Sequence, residues 1–130
     1  MKDIQHREDI EHLVNTFYKE VVEDKIIGYI FNDVIQLDWE KHIPIMYDFW
    51  ETVLLGQIQY KGSPIPVHIA VSQKEPLQPI HFERWIQLWE TTVRTNFSGG
   101  KANEAVKRAK LMGELIQIKI KKSQEDGFIQ

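Results

Sequence analysis

The chain has 130 residues, of which 42% are apolar and 27% charged, enough for one domain with a real core and unlike a disordered segment. It has no cysteine, which excludes disulfides, cysteine-ligated iron–sulfur or zinc sites and cysteine nucleophiles. Sixteen basic and nineteen acidic side chains leave a net charge of -3, without the basic face that nucleic-acid binding needs. The one basic cluster, Lys119, Lys121 and Lys122, reads as a solvated helix end. No apolar run approaches the ~20 residues that span a membrane. Lys2 to Asp9 is polar apart from Ile4 and does not read as a signal peptide, so the cytoplasm is the expected compartment. What stands out is six Phe, four Tyr and four Trp beside five histidines.

Ile10, Leu13, Val14, Phe17, Tyr18, Val21 and Val22 recur at helical spacing and predict a first helix from about Ile4 to Val22. Asp3 or Asp9 is placed to cap it. Asp24 interrupts the stripe. Ile26 to Phe31 then reads as one or two helical turns ending at Asn32-Asp33. Asp38 is expected to cap a second helix with Trp39, His42, Ile43, Met46, Phe49, Trp50 and Val53 on one face, closed by Gly56 in the left-handed conformation. Pro44 should kink it near His42. Gly56 to Pro66 is loop by composition. Val67 to Val71 fits a strand or a helical turn equally well. Pro79 suits the first turn of a helix carrying Phe82, Trp85, Ile86, Trp89, Val93 and Phe97, stopped by Ser98-Gly99-Gly100. The last helix carries Ala102, Ala105, Val106, Ala109, Met112, Gly113, Ile116 and Ile120, with small residues that invite a close neighbour. Ser123 to Gln130 is expected to fray. The whole reads as all-α, one domain over residues 1–130.

Several chemistries are missing from the pattern. There is no glycine-rich phosphate loop, no pair of histidines four apart on a helix and no nucleophile elbow. His6, His12 and His81 sit among polar or helix-start positions and read as bystanders. His42 shares an apolar face with Met46, Phe49 and Val53, where a histidine is usually a satisfied boundary residue. His68 follows Pro64 and Pro66 and is flanked by Val67, Ile69 and Val71; a neutral imidazole there needs either a hydrogen-bond partner or a metal. Tyr18 and Trp85 carry polar tips that want partners when buried. Helices each bringing aromatics, with one isolated histidine, suit a flat apolar cofactor such as haem.

Taken in order, Phe17-Tyr18, Gly28-x-x-Phe31, Trp39-x-x-His42, Phe49-Trp50-Glu51, Leu54-Leu55-Gly56, Tyr60-x-Gly62-x-Pro64-x-x-x-His68 and His81-Phe82-Glu83-Arg84-Trp85 make the chain resemble the group III truncated haemoglobins, a bacterial family. The match runs from about Ile10 to Met112. The resemblance implies a truncated globin fold, helices packed two-over-two around haem b. It implies His68 as the iron's axial ligand, with Tyr18, Trp85 and His42 as the distal set that stabilises or gates the ligand. It puts Phe31, Met46, Phe49, Phe82 and Tyr60 against the cofactor. Pro66 and Val67 stand where family members often carry basic residues for the haem propionates; Lys61 and Arg84 are the cations named in their place.

The function so implied is binding of dioxygen and other diatomic ligands, with oxygen, peroxide or nitric oxide chemistry of a dioxygenase- or peroxidase-like kind. A separate reductase is expected, with no nucleic acid, no membrane and a monomeric protein. The alternatives are a haem-free helical interaction module on a globin scaffold, or a ligand sensor acting through a separate partner.

Overall fold

The computed structural model describes residues 1–35, 38–56, 68, 70–72 and 76–125. Among these the chain is all-helical. Four longer helices carry the fold: α1 (Arg7–Glu23), α2 (Trp39–Leu55), α3 (Pro79–Asn96) and α4 (Gly100–Glu125). A π-helical segment, Ile30–Val34, lies between α1 and α2. His68 and residues 70–72 are helical, so of the two readings of that stretch the helical turn holds for the residues described. The α1/α2 pair and the α3/α4 pair form two layers, in which α1 crosses α3 and α2 meets α4.

Local chemistry explains the boundaries. Asp9, in the first turn of α1, reaches back to accept the N–H groups of Gln5 (2.9 Å) and His6 (3.0 Å). Asp3 does not cap α1. It caps α4: its carboxylate accepts the N–H groups of Lys101 (2.9 Å) and Ala102 (2.8 Å), donors that a helix N-terminus otherwise leaves unpaired. The N-terminal residues are thereby tied to the last helix, and Ile4 is fully buried. Asp24 ends α1 and starts the next turn, accepting the N–H groups of Ile26 and Ile27 at 3.0 Å each.

Asp38 occupies the N-cap position of α2, yet its side chain makes no capping bond. The helix continues through Pro44 to Leu55, and Gly56 closes it at φ 72°. Pro79 opens α3 as expected. Helix α4 extends through Glu125, and the buried Ser123 hydroxyl donates to the Ile120 carbonyl at 2.7 Å. Residues 126–130 of the expected tail lie outside the described residues.

The core sits where the layers cross. Ile10, Leu13, Val14, Phe17 and Val21 of α1 meet Trp50 and Leu54 of α2, Trp89 and Val93 of α3, and Ala102, Ala105 and Ala109 of α4. The three alanines have no exposed surface and let α4 approach the tryptophans closely. Trp50 and Trp89 stack at 4.5 Å, and the Trp89 indole N–H donates to the Ala105 carbonyl at 3.1 Å. Arg7 pairs with Asp48 (2.9 Å) and Glu51 (2.8 Å), clamping α1 to α2.

Candidate functional site

Tyr18, on α1, lies one residue from the core residue Phe17 and so points to the edge of the core rather than its centre. His42, on α2, meets it there: the imidazole Nε2 and the phenolic oxygen are 3.2 Å apart. The two rings are edge-on, with centroids 5.2 Å apart. Around the pair stand Phe31 of the π-helical segment, 6.2 Å from Tyr18, and Trp39 of α2, 5.5 Å from Tyr18 and 5.8 Å from His42. Trp85 of α3 joins through Phe17, edge-on at 6.0 Å, and lies nearly parallel to Trp89 at 6.5 Å.

Electrostatics fixes the protonation of both polar groups. Burial pushes the Tyr18 phenol far above its usual range, so it keeps its proton at any physiological pH. Burial, and then the charge of His68, push the His42 imidazole below its usual value. His42 is therefore neutral near pH 7, one ring nitrogen donating and the other accepting. The second effect belongs to the protonated form of His68. His68 itself is partly buried.

Met46 and Phe49 occupy the same helix as His42 and are partly buried against the main core, as are Phe31 and Trp85. Phe82 lies beside the main core, which Leu77 and Met112 link to it. It packs with Ile116 and Ile120 of α4 in a smaller cluster, bordered by Leu77 and Met112, and makes no ring contact with the Tyr18 set. Tyr60 and Lys61 lie outside the described residues. Arg84, named as a propionate partner, is committed to Asp24, with Nε and Nη2 each 2.8 Å from one carboxylate oxygen.

The other histidines have local partners. His6 is the N-cap of α1, and His12 pairs with Asn96 at 3.1 Å. The Nδ1 atom of His81 accepts the Gln78 N–H at 2.9 Å, at the start of α3. No cluster of three or more His, Asp or Glu side chains suited to a metal occurs among the described residues. The structure puts Trp39 against both polar residues of the site. The Trp39-x-x-His42 spacing, which puts both on one face of α2, was the available signal.

Two layers of helices with a histidine–tyrosine pair set among aromatic rings are the features of a small globin-like protein. A family model for bacterial-like globin matches residues 2–117. Group 3 truncated hemoglobin ctb of Campylobacter jejuni is 30% identical over 115 residues, which span 86% of this chain and 88% of that one. The crystal structure of group III truncated hemoglobin from Campylobacter jejuni matches with a TM-score of 0.79 at 29% identity, over 92% of this chain and 95% of that chain. The chain belongs to the bacterial-like globin family, in its group III truncated haemoglobin branch.

Proposed function

We propose that this chain is a haem b protein that binds dioxygen and other diatomic ligands, in which His68 would hold the iron and Tyr18, His42 and Trp85 would form the polar distal set. The observation that carries the reading is the Tyr18–His42 pair, two neutral polar groups 3.2 Å apart among aromatic rings. The residues suit a flat apolar group. Phe31, Met46, Phe49 and Trp85 are large side chains packed on one side against the core yet only partly buried. A hydrophobic plate would cover the surface they leave. No described helix is long and apolar enough to cross a membrane.

When bound, haem would supply the iron needed for oxygen, peroxide or nitric oxide chemistry. The protein's contribution is orientation and charge. A neutral His68 has a ring-nitrogen lone pair to give iron, and its other ring N–H needs an acceptor that fixes the ring. Tyr18 stays protonated, so its hydroxyl is a donor. If His42 Nε2–H donates to the Tyr18 oxygen, the phenolic proton is left for the ligand. Trp85 offers an indole N–H, which is donor only. Donors held in place in a water-poor pocket stabilise a partly negative ligand atom without reorganising. Such retention suits chemistry on the ligand better than delivery of it.

The test is spectroscopic. Purified protein titrated with haem should develop a strong Soret band at one haem per chain. His68→Ala should bind haem weakly and with an altered spectrum. A His68→Ala spectrum identical to wild type would remove His68 as axial ligand, and no uptake by wild type would overturn the haem reading as a whole.

A further inference from the structure

We propose that Trp39 is a positioning residue that holds the Tyr18–His42 pair in register; the inference rests on the haem-protein reading above. Trp39 is the first residue of α2 and stands three positions before His42, on the same face. Its ring lies edge-on to Tyr18 (5.5 Å, 64°) and edge-on to His42 (5.8 Å, 77°). It is itself stacked on Phe31 (6.1 Å, 27°). One indole thus touches both partners of the 3.2 Å hydrogen bond and is locked by a third element of the chain.

The first turn of α2 needs such a lock. Asp38 gives it no side-chain cap. Pro44 has no N–H, so the Glu40 carbonyl lacks the helix bond that residue 44 would normally give it. The backbone of His42 is held at this end by its own N–H to the Asp38 carbonyl, at 2.9 Å. Tyr18 comes from a different helix, so no backbone bond sets its distance to His42. Ring contacts do. Edge-to-face geometry is directional, which an aliphatic side chain of similar bulk does not reproduce.

The experiment uses haem-loaded wild type, Trp39→Phe, Trp39→Leu, Tyr18→Phe and the Tyr18→Phe/Trp39→Leu double variant. Oxygen dissociation is followed by stopped flow, and the C–O stretch of the carbon monoxide complex reports the donors around the ligand. Trp39→Leu should release oxygen about fivefold faster or more, in keeping with the loss of two aromatic pairs. It should also shift the C–O stretch toward that of Tyr18→Phe. Trp39→Phe, which keeps a directional ring, should stay within about twofold of wild type. In the Tyr18→Phe background the Trp39→Leu change should add less than about twofold, because the donor it positions is gone. If Trp39→Leu loads haem poorly, Trp39→Met fills more of the volume and carries the same expectation. A dissociation rate and C–O stretch unchanged by loss of the indole, or the same acceleration with and without Tyr18, would overturn the role of Trp39 alone. Failure of wild type to take up haem would overturn the underlying reading, and the two failures are told apart by the wild-type spectrum.

Discussion

The pocket depends on two groups kept neutral by their surroundings. Tyr18 is held protonated by burial, and burial likewise pushes the His42 imidazole below its usual value. Their hydrogen bond is therefore neutral on both sides, and its strength depends on geometry more than on charge. Tyr18→Phe keeps the ring and its edge contacts with Phe17 and His42 but removes the hydroxyl. In haem-loaded protein it should raise the oxygen dissociation rate by roughly five- to thirtyfold, the equivalent of about 1–2 kcal/mol. Flash photolysis or stopped flow gives the rate directly. An unchanged rate would remove Tyr18 from ligand stabilisation. Trp85 and Trp89 show how one stripe divides by role. Both lie on the inner face of α3, but Trp89 is fully buried and its N–H is taken by Ala105, whereas Trp85 is partly buried.

At the level of elements, the join between α3 and α4 is the most exacting. Gly99 stands at φ 136°, in a region that side chains avoid, and a Cβ there would come within 2.6 Å of the Asp3 carboxyl carbon. That carboxylate is the cap of α4. Gly99→Ala thus strains the backbone and displaces the cap together. It should destabilise the protein by about 1–3 kcal/mol, measured as a lower urea midpoint at unchanged slope. Asp3→Ala should lose only the capping share, about 1 kcal/mol. Equal stability of Gly99→Ala and wild type would show that the N-terminal residues do not need this contact. In α2 the element-level feature is Pro44, which the helix absorbs while continuing to Leu55.

For the molecule as a whole, acid stability rests on carboxylates held by backbone N–H groups and by cations. For Asp24, burial alone would raise its pKa, but bonds from Arg84 and from the Ile27 and Ile26 N–H groups outweigh it and hold the carboxyl below its usual range. Asp3 is also held low: its burial is outweighed by the backbone N–H groups of Lys101, Ala102 and Ile4. Asp9 likewise, with its burial outweighed by Lys2 and the N–H groups of Gln5 and His6. A carboxyl whose pKa is lowered on folding stabilises the fold above the unfolded value near 3.9, and that contribution is lost as pH falls through the folded value. The melting temperature should accordingly drop as pH falls below about 4. Asp24→Asn should start lower at pH 7 and fall less steeply with acid. A slope as steep in Asp24→Asn as in wild type would take the Asp24–Arg84 bond out of the balance.

Much of this was legible along the chain, for a physical reason. Helical periodicity is local, so the apolar stripes of α1, α3 and α4 mark those helices and their inward faces directly. Gly56 and Pro79 are backbone signals of the same kind, and they stand where the helices end and begin. The sequence by itself determined the all-helical class, the inward faces and, through an ordered series of motifs, the family. Only the tertiary structure decided the pairings between distant residues. Asp3 could be read as a cap, but not as the cap of a helix that starts at Gly100. Arg84 could be read as a free cation, but not as the partner of Asp24. Trp39 could be read as apolar packing, but not as the ring lying against Tyr18 and His42 together. A side chain's partner across the fold depends on where the helices cross, and no spacing within one helix carries that information.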